Sequence, residues 1–88
     1  MRITLKLYAM LSDHLPSELD GRRRRGNEMP LDVPDGFTAQ AVIDRFHLPS
    51  KLVHLVLVNG VYIPPQARPG HVLAANDELA IWPPIAGG

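Results

Sequence analysis

The sequence predicts an α+β domain in which a mixed sheet is covered on one face by one main helix. Three observations predict it: strict alternation of apolar and polar residues at the start, one capped stretch of helical spacing near the middle, and an Asn-Gly pair between two apolar runs.

In the opening segment Ile3, Leu5 and Leu7 share one face, while Arg2, Thr4, Lys6 and Tyr8 share the other, which is the period of a half-buried strand. Ala9 to Leu15 keeps apolar residues at Met10, Leu11 and Leu15, fitting a short helical turn or an irregular packed segment. From Pro16 to Asn27 the chain has few apolar residues, two glycines and the run Arg22-Arg23-Arg24-Arg25, and is expected to be an exposed, mobile loop. Met29, Leu31 and Val33 then alternate over a second strand from Glu28 to Val33, which the turn residues Pro34, Asp35 and Gly36 stop.

Thr38 has the chemistry of an N-cap for a helix from Ala39 to about His47, with Val42, Ile43 and Phe46 at helical spacing and Pro49 marking the exit. Val53 to Val58 is apolar apart from His54 and reads as a strand covered on both faces. Asn59-Gly60 supplies a tight hairpin turn into Val61, Tyr62 and Ile63, expected at the centre of the sheet. Pro64, Pro65, Pro69 and Gly70 disfavour regular structure, and Leu79 and Ile81 alternate with Ala80 and Trp82 in a final strand that ends at Pro83-Pro84. Strand, strand, helix, strand, short strand, strand is the order of a β-grasp sheet. Residues 1–82 are expected to form the domain, and 83–88 a slender, extended and flexible tail.

Composition narrows the function. With 88 residues there is room for one domain, which hides only roughly 60 to 65% of its unfolded-chain surface. Nine Lys plus Arg balance nine Asp plus Glu, so no overall field draws the chain to nucleic acid, anionic lipid or acidic substrates. The start lacks the basic flank and apolar run of a signal peptide, and no apolar run approaches the roughly 20 residues of a membrane span. A cytoplasmic location, with no membrane and no nucleic-acid partner, is the expectation.

Cysteine is absent, which excludes a disulfide, a thiolate metal site and a cysteine nucleophile. His14, His47, His54 and His71 show no close i, i+4 pairing, so no metal is expected. No Gly-rich phosphate loop, nucleophile elbow or paired-carboxylate signature is present, and Asp77-Glu78 reads as an exposed turn into a strand. No bound cofactor and no catalytic residue of its own follow as expectations. The arginine run could meet RNA, phosphate or an acidic partner, but no aromatic residues interleave with it, and a solvated loop is the favoured reading.

The final segment, Pro83-Pro84-Ile85-Ala86-Gly87-Gly88, carries no charge before its terminal carboxylate. A Gly-Gly end can enter a narrow channel with its backbone close to the walls, because no Cβ blocks the approach. The prolines stiffen the stem behind it. A frayed terminus is the plainer reading of such an end.

Together Val56-Leu57-Val58-Asn59-Gly60, Asn76-Asp77-Glu78-Leu79-Ala80-Ile81-Trp82 and Pro83-Pro84-Ile85-Ala86-Gly87-Gly88 resemble the MoaD/ThiS group of ubiquitin-like β-grasp sulfur carriers, and the resemblance spans nearly the whole chain. It implies that an E1-like adenylating enzyme uses ATP to adenylate Gly88, and that a sulfurtransferase or other sulfur donor displaces AMP to leave a thiocarboxylate. A free carboxylate is a poor electrophile, whereas its mixed anhydride with AMP has a good leaving group. The absence of cysteine fits, since no internal thiol competes for the activated acyl group.

Pro83-Pro84 ahead of Ile85 looks like the molybdopterin synthase small subunit, which implies a larger synthase subunit that accepts the tail. Thiamine-type and other metabolite carriers stay open. Trp82, with Tyr8 and either Val56 or Val58, forms a candidate docking patch for the activating enzyme, and Pro83, Pro84, Ile85 and Ala86 extend it along the tail. A half-buried sheet aromatic is the alternative reading of Trp82. Two rival classes share the fold: a protein modifier that forms an isopeptide bond through Gly88, and a β-grasp binding module whose tail is chemically idle.

Overall fold

The computed structural model describes residues 1–84; the predicted tail residues Ile85, Ala86, Gly87 and Gly88 lie outside the described residues. Five strands form one mixed sheet in the order β4-β1-β7-β5-β6, where β1 is Arg2–Leu7, β4 Glu28–Asp32, β5 Leu55–Val58, β6 Val61–Tyr62 and β7 Glu78–Trp82. A separate two-stranded hairpin joins β2, Glu18–Leu19, to β3, Arg22–Arg23. The predicted β-grasp arrangement is present: β1 and β7 run parallel side by side, and every other pairing is antiparallel.

Strand alternation decides which side of the sheet is wet. Ile3, Leu5 and Leu7 of β1 and Leu79 and Ile81 of β7 point to the same side and are fully or almost fully removed from solvent. The α-helix α1, Ala39–Arg45, covers that side with Ala39, Val42 and Ile43. Each aliphatic side chain buried there contributes about 1.5 to 3 kcal/mol relative to exposure. At seven residues α1 is too short to persist alone, so the packing and its cap hold it. The Thr38 hydroxyl accepts from the Ala41 amide at 3.1 Å, as the sequence predicts, and the Ala39 amide donates to the His71 carbonyl at 3.0 Å.

Pro30 sits within β4 opposite Thr4. β4 is an edge strand, where a missing amide proton leaves no sheet neighbour unsatisfied. The Asn59-Gly60 turn joins β5 to β6 with φ of +51° and +83°, the pair of left-handed conformations that a two-residue turn of this hand requires.

Four expectations are corrected. Pro16 to Asn27 is not a structureless loop: it holds the β2–β3 hairpin, and Arg24 fastens it down by donating to the carbonyls of Ser12, Leu15 and Gly26 at 3.0, 3.0 and 2.8 Å. The Asn59-Gly60 hairpin lies at the sheet edge, because β7 returns between β1 and β5 and takes the central place. β5 begins at Leu55, after a 3-10 turn over Ser50–Leu52, and is covered on one face only. Pro65–Gly70 also forms a 3-10 turn rather than irregular chain, since a proline near the first position suits such a turn.

Candidate functional site: the helix-free sheet face and the root of the tail

The face opposite α1 carries the second half of each alternation. Parallel pairing puts Leu7 beside Ile81, so the next residues, Tyr8 and Trp82, meet on the helix-free face. The two rings stack with centroids 3.9 Å apart and planes 8° from parallel. The Tyr8 amide donates to the Ile81 carbonyl at 3.1 Å and fixes the register beneath the stack. This pairing is what the sequence predicts for Tyr8 and Trp82.

Val56 and Val58, by contrast, belong to the core. They are 0% and 6% exposed, pack with Leu79 and Ile81, and cannot meet a docking partner. The parity of β5 supplies Leu55 and Leu57 instead. Leu55 pairs with Trp82, Leu57 pairs with Ala80 and with Tyr62, and antiparallel partners point to the same side of a sheet. Leu55 and Leu57 are half-buried and Tyr62 is exposed. A contiguous apolar patch of Tyr8, Trp82, Leu55, Leu57 and Tyr62 therefore lies beside the point where β7 ends.

A charged cluster bounds this patch. Lys6 Nζ lies 2.9 Å from a carboxylate oxygen of both Glu28 and Glu78, one on each neighbouring strand. The hydrogen bond to Glu78, then that to Glu28, holds the Lys6 ammonium well above the ordinary lysine range. Lys6 is consequently a fixed positive charge at neutral pH and not a nucleophile.

The root of the tail is tied to the sheet. The His54 amide donates to the Trp82 carbonyl at 3.0 Å, and Arg68 donates from Nη2 to the His54 carbonyl at 3.2 Å and from Nε to the Ile63 carbonyl at 3.0 Å. Arg68 is 5% exposed, the one buried charged side chain among the described residues. Its two carbonyl partners lie at the start of β5 and just after β6, so one guanidinium braces the strand against which β7 ends. Pro83 is also buried, and Pro84 is exposed. Sequence reading missed Arg68, and no signal in its neighbourhood separates it from a surface arginine. Leu55 and Leu57 were within reach, since shifting the strand's parity by one residue selects them.

The turn before β7 is braced as well. Asp77 accepts from Asn59 Nδ2 at 2.8 Å and from the Ala74 amide at 2.8 Å, and Asn59 Oδ1 accepts from the Glu78 amide at 2.9 Å. Asp77 is thus engaged in turn structure, not merely exposed. Among the described residues no group of three His, Asp or Glu side chains is placed to hold a metal ion. No helix among them is long and apolar enough to cross a membrane.

Sheet order, single covering helix and apolar helix-free face define a ubiquitin-like β-grasp protein. Residues 18–88 match the model of the ThiS family, and the chain belongs to that family. Its fold is similar to the crystal structure of SAMP1 from Haloferax volcanii, with a TM-score of 0.64 and 24% identity over 100% of both chains. It is equally similar to the crystal structure of H. volcanii small archaeal modifier protein 1, with a TM-score of 0.64 and 24% identity over 96% of this chain and 98% of that one. At that identity the likeness carries the fold. No curated protein matches the chain at a significant level.

Proposed function

We propose that the chain is a sulfur carrier whose working group is the terminal carboxylate of Gly88, with molybdopterin biosynthesis as its pathway. The observation that carries this reading is that the ThiS-family match runs through residue 88 and so includes Gly87 and Gly88. In the first step a Gly88 carboxylate oxygen attacks the α-phosphorus of ATP on an E1-like enzyme and pyrophosphate leaves. In the second, hydrosulfide attacks the acyl carbon, the acyl–phosphate bond breaks and AMP departs, leaving a thiocarboxylate; where a sulfurtransferase persulfide attacks instead, the product is an acyl disulfide whose S–S bond a thiol reductant cleaves to the same thiocarboxylate.

The chain's own residues bind and orient in this scheme. Tyr8, Trp82, Leu55, Leu57 and Tyr62 dock on the activating enzyme, while Pro83 and Pro84 stiffen the backbone at the root of the tail. The chain is a recyclable co-substrate rather than a catalyst, and Pro83-Pro84 supports a larger synthase subunit as acceptor of the tail. Thiamine-type delivery uses the same chemistry with a different acceptor.

Modifier activity is the second reading, favoured by the fold shared with a small archaeal modifier protein. A modifier forms an amide between Gly88 and a lysine of another protein, so it accumulates as larger conjugates. Intact-protein mass spectrometry separates the two after incubation with ATP, an E1-like enzyme and sulfide. A gain of about 16 Da, oxygen replaced by sulfur in the acyl group, that vanishes on deletion of Gly88 supports the carrier. No gain, with an enzyme active on another carrier, sinks it, and lysine-linked conjugates in cells then favour the modifier.

A further inference from the structure

The arginine run builds something other than a solvated loop. Arg22, Arg23 and Arg25, on and just after the β2–β3 hairpin, line a groove of about 600 Å³ together with Thr4, Glu28 and Pro30 of β1 and β4. The four arginines divide their work. Arg24 is consumed by three carbonyls, and Arg22 pairs with Asp32. The guanidinium groups of Arg23 and Arg25 have no carboxylate or carbonyl partner among the described residues, although the backbone beneath them is fixed by the β2–β3 pairing and the Arg25–Glu28 bridge. Two free forks are therefore presented on a prearranged scaffold, at the side of the face away from the tail root.

We propose that this groove binds an acidic polypeptide segment of a partner protein. Each free guanidinium can take a carboxylate through two parallel N–H donors. Peptide fits better than nucleic acid. The floor is Thr4 and Pro30, with no aromatic ring on which a base could stack. The Glu28 carboxylate, part of the Lys6 cluster, lies in the same groove and repels a continuous phosphate chain more than spaced side-chain carboxylates. The proposal stands on the groove alone: a chain that binds such a segment but never acquires sulfur would keep it and lose the carrier reading.

The test is an amide-shift titration of the full chain with oligoglutamate about six residues long, which spans roughly 20 Å when extended. Parallel titration with a single-stranded oligonucleotide of equal charge runs at the same ionic strength. The expected result is saturable movement of the Thr4, Arg22 to Gly26 and Glu28 amides, with affinity lowered at least about tenfold in Arg23→Glu/Arg25→Glu. That variant should keep the parent's thermal midpoint, and Arg23→Gln/Arg25→Gln serves if it does not. Absence of saturation, unchanged affinity in the variants, or tighter binding of the oligonucleotide through the same amides would overturn the proposal.

Discussion

Tyr8 and Trp82 lie near opposite ends of the chain yet stack ring on ring, because parallel pairing of the first and last strands puts Leu7 beside Ile81 and leaves the next residue of each on the open face. The stack is the rigid floor beside the tail root. Replacing Trp82 with Ala removes an aromatic pair worth about 0.5 to 1.5 kcal/mol beyond its area, so the domain should remain folded with a modestly lower thermal midpoint. If the patch docks the activating enzyme, kcat/KM for adenylation should fall at least about tenfold, as for a central aromatic anchor. Equal activation rates for Trp82→Ala and the parent would remove Trp82 from the docking surface.

Neighbouring residues of β5 should respond oppositely to the same change. Val56 faces the core and Leu57 the open side. A carboxylate at position 56 is buried without a partner, and total stabilities of about 5 to 15 kcal/mol do not absorb that readily. Val56→Asp should therefore be largely unfolded by circular dichroism. Leu57→Asp should show a native amide spectrum yet bind the activating enzyme poorly. A folded Val56→Asp protein would contradict the assigned parity.

That parity was only partly legible in the sequence. In β1, polar residues interrupt the apolar ones, so the buried set Ile3, Leu5 and Leu7 reads off directly, and in β7 Glu78 and Trp82 mark the open face although the small Ala80 between Leu79 and Ile81 is buried as well. In Leu55-Val56-Leu57-Val58 nothing interrupts, and an unbroken apolar strand hides which face is wet. Thr38 was legible as a cap because its chemistry is local. The arginine hairpin was not, since Arg24 is satisfied by carbonyls of Ser12 and Leu15, a contact between segments that no local pattern encodes. Arg68 escaped for the same reason.

Asp77 and Asn59 link the edge hairpin to the turn that launches β7. Asp77→Ala removes two accepted hydrogen bonds, from Asn59 Nδ2 and the Ala74 amide. Each contributes about 0.5 to 1.5 kcal/mol, so a loss of roughly 1 to 3 kcal/mol in urea denaturation is expected. Asn59→Ala should cost at least as much, because Asn59 exchanges side-chain hydrogen bonds with Asp77 and Glu78 and also holds a φ of +51°. Asn59→Gly relieves the backbone conformation but not the hydrogen bonds, and should fall between Asn59→Ala and the parent. Were Asn59→Ala and Asn59→Gly equally stable, the positive φ would carry no energetic weight.

Part of the acid sensitivity should trace to one surface pair, Arg22 and Asp32. The hydrogen bond from Arg22, aided by the nearby Arg2 charge, holds the Asp32 carboxyl below its ordinary value of 3.8. A carboxylate with a lower value in the folded state binds its proton less readily there than in the unfolded chain. Its contribution to stability is then fully present above the unfolded value of 3.8 and is lost as pH falls through the folded value. Lys6 has the opposite sign: raised in the folded state by Glu78 and Glu28, it contributes fully at neutral pH and loses that contribution only in strong alkali. Between these limits neither group makes stability depend on pH. Urea midpoints across the acid range should therefore fall less steeply for Arg22→Gln than for the parent, with the two curves converging at the acid end, where Asp32 is protonated in both. Parallel curves would place the acid sensitivity in other carboxylates and leave the Arg22–Asp32 pair without thermodynamic weight.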